Sequence, residues 1–175
     1  MTVTREFLEK QLIDFRDGKI VTLSIVNPIW VPGCADLLNF QLRPNFKLKE
    51  FCVSTLERRP QIKQSQAPDI KIAYTMLNKL QELVNRIKVY HPRFFIQIHS
   101  AHRPPWINAQ VGGSSNSWHL HGAAVDVSFG GLDVPSSWTP DKIRRAVSRE
   151  AFLIKIPGIE LIHGGQRVHY DFLRT

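Results

Sequence analysis

The stretch Ser100-Ala101-His102-Arg103-Pro104-Pro105-Trp106-Ile107-Asn108-Ala109-Gln110-Val111-Gly112-Gly113-Ser114-Ser115-Asn116-Ser117-Trp118-His119-Leu120-His121-Gly122-Ala123-Ala124-Val125-Asp126 decides how this chain folds. It gathers arginine, asparagine, a glycine pair, serine, histidine and aspartate between two apolar runs. The run before it, Phe94-Phe95-Ile96-Gln97-Ile98-His99, is rich in β-formers and reads as a largely buried strand. The run after it, Ala123 to Phe129, reads as a second strand. Between them lies a long loop studded with proline and glycine, and loops of that length in compact domains are usually functional. His119 then falls on the loop and Asp126 on the strand, with Gly122 between them to turn the chain and bring imidazole and carboxylate together.

A third ligand is offered by Arg167-Val168-His169-Tyr170-Asp171-Phe172-Leu173. Alternate residues of a strand share a face, so His169 and Asp171 point one way while Val168, Tyr170 and Phe172 point the other. Two neutral imidazoles and one carboxylate suit zinc. Three protein ligands also leave room for a water, whose pKa such a site lowers to about 7.

The run Ser100-x-x-Arg103, Asn108, Val111-Gly112-Gly113, followed by Ser117-x-His119-x-x-Gly122-x-Ala124-x-Asp126 and a late Val168-His169-x-Asp171, resembles the zinc D-Ala-D-Ala carboxypeptidase and endopeptidase family. That family cuts peptidoglycan stem peptides and shares its zinc fold with the hedgehog signalling domain. The resemblance covers roughly residues 43 to 173, taking in Asn45-Phe46-Lys47-Leu48-Lys49-Glu50-Phe51 and the helix after Pro68. It implies His119, Asp126 and His169 as zinc ligands and Arg103 as the substrate-orienting arginine. It also implies a cleft-wall role for His102, at a place where the family often has tyrosine. Held beside two prolines, the Arg103 fork suits a grip on a substrate carboxylate or peptide carbonyl. Ser117 reads as a hydrogen-bonding residue of the cleft rather than a nucleophile, because no serine-histidine-acid arrangement surrounds it. Many family members carry an acidic general base three residues before the last zinc histidine, and here that position is Gln166. Proton transfer then falls to Asp171, which shares a strand face with His169, or to His163.

Length and composition bound the rest. The chain has 175 residues, of which 43% are apolar, enough for one domain with an ordinary core. No stretch approaches the ~18 uninterrupted apolar residues of a membrane span. The first apolar residues are interleaved with Glu6, Glu9, Lys10 and Asp14, so no signal segment is expected. Cys34 and Cys52 read as free, partly buried thiols. The net charge of +8, from 23 basic against 15 acidic residues, favours polyanionic partners such as nucleic acid or the bacterial wall. Arg58-Arg59, Lys142, Arg144-Arg145 and Arg149 form no stripe and accompany no nucleic-acid motif, so nucleic acid is not the expected partner. The expectation is a monomer acting on the bacterial wall.

Along the chain, residues 4 to 16 read as an amphipathic helix and Lys19 to Trp30 as a strand, with turn and loop from 27 to 45 and a short helix or turn over 46 to 53. A polar loop over Arg58 to Ala67 precedes a long helix in which Pro68 takes the first position, and Ile72, Ala73, Met76, Leu77, Leu80, Leu83, Val84 and Ile87 form the inward face. Thr139-Pro140-Asp141 starts another helix, with Ile143, Ala146, Val147 and Phe152 facing inward. Ile159 to His163 and the His169 strand form an antiparallel hairpin.

The expectation is an α+β fold: an antiparallel sheet carrying a zinc site and flanked by helices, like the hedgehog and D-Ala-D-Ala peptidase domains. Residues 1–42 form a helix and strand extension packed on a zinc peptidase domain of residues 43–175. The expected activity is zinc-dependent hydrolysis of an amide bond in the stem peptide or cross-link of bacterial peptidoglycan. With no export signal expected, a phage lysis enzyme or a virion-carried, wall-penetrating enzyme fits best, made in the cytoplasm and acting at the wall. The rival is a catalytically weak zinc-binding module that holds wall peptide or a protein partner.

Overall fold

A computed structural model describes residues 3–52, 68–162 and 167–172. The expected loop over Arg58 to Ala67, together with His163 and Gln166, lies outside these residues. Helix α1, Arg5–Arg16, begins at Thr4, whose side chain accepts a hydrogen bond from the Phe7 amide, and buries Leu8, Leu12 and Phe15 on one face. Strand β1 is shorter than the sequence suggests, Thr22–Val26, because Asn27 caps a 3-10 turn over Pro28–Trp30. The segment expected to be turn and loop also holds a second 3-10 turn, Ala35–Asn39, and strand β2, Gln41–Arg43. Strand β2 pairs with β3, Phe46–Lys47, which leads into the short helix α2, Leu48–Phe51.

The largest correction concerns Pro68. It opens a strand, β4, Asp69–Ala73, and helix α3 starts only at Tyr74, running Tyr74–Lys88. Ile70 and Ile72 alternate with Asp69 and Lys71, and both isoleucines are buried opposite Ile25 and Leu23 of β1. The ladder satisfies the backbone groups of both strands, which a helix at the same place would leave unpaired on β1. Ile72 and Ala73 match the helical spacing only because they precede Met76 and Leu77 by four residues.

The main sheet contains β5, Phe95–Ser100, β6, Ala124–Gly130, β7, Gly158–Ile162, and β8, Arg167–Asp171, in the order β5-β6-β8-β7 with every pair antiparallel. The β5–β6 connection is not all loop, since Pro105–Gln110 forms helix α4 and Trp118–His121 a 3-10 turn. Helix α5, Pro140–Leu153, is capped by Thr139 as its sequence indicates. Val147 and Ala151 face the core, whereas Phe152 is 72% exposed, so its expected inward role does not hold. Leu8, Leu12 and Phe15 share one buried cluster with Leu23, Ile72, Met76, Val125 and Tyr170. The result is an α+β architecture with antiparallel sheets. Cys34 and Cys52 are free and buried, and burial pushes the Cys52 thiol up to about 12. Among the described residues no helix is long and apolar enough to cross a membrane.

Candidate metal centre

The ladder of the main sheet sets the site. Asp126 on β6 is the register partner of His169 on β8, and on its other side it faces Ser100 of β5. Cross-strand partners project to the same face with Cβ atoms about 4.5–5.5 Å apart, so a carboxylate and an imidazole are brought side by side by backbone pairing alone. His119 arrives from the 3-10 turn. That turn ends at Gly122, whose φ is 65° and whose position a Cβ could not share, since it would lie 2.2 Å from the carbonyl oxygen of Lys71. The Gly122 carbonyl in turn accepts from the Ala73 amide at 2.8 Å. Strand β4 is thus the floor on which the His119 turn rests.

One ligand atom from each of His119, Asp126 and His169 lies within 4.8 Å of the others. Asp126 Oδ1 is 2.8 Å from His169 Nδ1 and 3.3 Å from His119 Nε2. His119 and Asp126 are 2% and 3% exposed, and the half-buried His169 leaves the site open on its own side.

The donor chemistry fits a cation. His119 Nδ1 lies 2.6 Å from the carbonyl oxygen of Ala101, an acceptor only, so the ring donates its proton there. Burial lowers the His119 pKa despite the neighbouring Asp126 charge, which keeps the imidazole neutral. Nε2 then carries a lone pair and confronts the lone pairs of Asp126 Oδ1 with no proton between them. Such an encounter is relieved by a divalent ion, and a histidine ligand with its other nitrogen on a carbonyl is a common zinc arrangement. Burial alone would raise the Asp126 carboxyl. The hydrogen bond of His169 and the Arg103 charge oppose it, and the carboxyl is held below its ordinary range.

Other residues named from the sequence are distributed less simply. The Arg103 guanidinium donates through Nη2 to Asp126 Oδ2 and through Nε to Ser100 Oγ at 2.8 Å, so it is turned onto the donor set. Burial lowers its pKa, with the Asp126 charge opposing. His102 is 1% exposed and packs toward β4, where Asp69 and Lys71 are its charged neighbours. Ser117 is half-buried just before the 3-10 turn, and its side chain makes no capping bond. Asn108 braces the loop by donating from Nδ2 to the Ser114 carbonyl at 2.8 Å. Asp171 is 2% exposed, with Oδ2 3.9 Å from His169 Nε2, behind the imidazole as seen from Asp126.

One carboxylate escaped the sequence reading. Glu160 of β7 is the register partner of His169, which extends the row Ser100, Asp126, His169 across the sheet to its edge. It is exposed, and among the described residues its carboxylate makes no hydrogen bond or ion pair. Working out a register for the hairpin expected between Ile159 to His163 and the His169 strand would have pointed to it.

A sequence profile of the family described as Peptidase M15 matches residues 44–156. No curated protein matches the chain.

Proposed function

Because the chain belongs to the peptidase M15 family, we propose that it is a zinc peptidase of the D-Ala-D-Ala carboxypeptidase and endopeptidase kind, hydrolysing an amide bond in the stem peptide or cross-link of bacterial peptidoglycan. The observation that carries this reading is the meeting of His119 Nε2 and His169 Nδ1 at Asp126 Oδ1. His119, Asp126 and His169 would hold the zinc. The chemistry zinc supplies there is polarisation of the scissile carbonyl and acidification of the attacking water. Residues 43–175 form the peptidase domain, and residues 1–42 are an extension that adds β1 to β4.

The chain's own groups supply orientation and proton transfer. Ala101 fixes the His119 tautomer, and Asp171 orients the His169 ring from behind. Asp171 is too enclosed to exchange protons with a substrate in the cleft. Glu160 stands on the open side of His169 and is the better carrier: it takes a proton from the attacking water and returns it to the leaving amine as the C–N bond breaks. The wall fits the positive charge of the chain, and phage lysis or wall penetration is the setting in which we place the activity.

A second reading is a zinc-binding module that holds wall peptide without cutting it, favoured by Gln166 where many family members carry an acid. Zinc analysis combined with mass spectrometry of digested peptidoglycan separates the two. Zinc with released peptides supports the enzyme, zinc with intact wall supports the module, and absence of both overturns the proposal.

A further inference from the structure

We propose that Arg103 is a positioning residue for the metal ligands, whose two-point hold on Asp126 and His119 sets how tightly the site retains a divalent cation, and not chiefly a clamp for substrate. The inference rests on the zinc reading of the site.

The geometry is specific. The backbone N–H of Arg103 donates to the His119 carbonyl at 2.9 Å, while its side chain holds Asp126 Oδ2. A single residue therefore anchors two of the three donors, one through its main chain and one through its guanidinium. The guanidinium is itself fixed by Ser100 Oγ, and Ser100 is the β5 register partner of Asp126, so the fork spans two adjacent strands. Its side chain is only 16% exposed. With Oδ2 taken, Asp126 has Oδ1 alone to offer, and Oδ1 is the atom on which both imidazoles converge. The carboxylate is thereby committed to ligation through one oxygen before any ion arrives.

A cation so close to a metal site also repels the metal, so deleting the charge would mix two opposed effects. Arg103→Lys keeps the charge and removes the planar fork, which isolates positioning. Loss of a partner that orients a metal ligand typically costs about 10- to 100-fold in affinity, and that is the expected weakening of zinc binding in R103K, read by chelator competition. The visible spectrum of the cobalt-substituted variant should change as well, because the carboxylate is free to rotate. Zinc binding as tight as in the parent with an unchanged cobalt spectrum would overturn the inference, and a rise in KM alone would make Arg103 a substrate clamp. If R103K does not fold, Ser100→Ala carries the test: it leaves every donor in place and should weaken zinc roughly threefold to tenfold, the worth of one hydrogen bond. Unchanged affinity in S100A overturns the inference too. A parent that takes up no zinc would instead overturn the metal reading itself, and this inference with it.

Discussion

Gly158 lies beneath the Asp171 carboxylate, so close that a Cβ on Gly158 would stand 2.2 Å from Oδ1 and 2.3 Å from Cγ and Oδ2. The two residues are register partners at the end of the β7–β8 ladder, and the missing side chain of one makes the seat for the other. Through Asp171 this seat reaches His169, 3.9 Å away.

Gly158→Ala should therefore both destabilise the fold and disturb the centre. Overpacking of this kind costs about 1–3 kcal/mol, which denaturant titration would register. Zinc affinity should fall with it, as Asp171 is displaced from behind the imidazole. A variant as stable as the parent, with equal zinc affinity, would show that the seat is not needed.

Acid should unfold the metal-free protein in a way that reports His102. Burial pushes this imidazole down to about 4, with Lys71 adding to the effect and Asp69 opposing it. The folded state thus binds a proton less readily than the unfolded chain, whose value is near the ordinary ~6.5. Stability is full above that ordinary value and is lost as pH falls from about 6.5 toward 4, by on the order of 3 kcal/mol for this group. His119 shifts in the same direction, and the depressed Asp126 carboxyl extends the loss to lower pH. His102→Phe should flatten the profile between pH 4 and 6.5; an unchanged slope would contradict the assignment.

Much of this arrangement is legible in the chain because its elements are local. The cap and proline at Thr139 and Pro140, the alternation around His169 and the helix from Met76 to Ile87 each declare themselves within a few residues. Strand β4 does not, since Ile72 fits both the strand alternation with Ile70 and the helical spacing with Met76, and only distant β1 decides between them. Helix α4 was hidden by prolines that suit a loop equally well. The orientation of Arg103 was illegible for a different reason: a guanidinium on a proline-rich segment can face substrate or ligand, and the choice depends on Asp126 reaching it across the ladder.

Glu160→Gln separates proton transfer from metal retention. General acid–base groups contribute roughly 10²–10⁴-fold, so peptide release should fall by at least about a hundredfold while zinc content stays at the parental level. Parental activity in E160Q would return the proton to Asp171 or His163, and Asp171→Asn would then be the variant to assay for turnover at full zinc loading.

The sharing of one ion by His119, Asp126 and His169 is tested most directly by metal analysis of the purified protein and of His119→Ala after equilibration with zinc and gel filtration. One zinc per chain in the parent and almost none in the folded variant is the expected result. Parental protein without zinc, or a variant that keeps its full complement, would contradict it.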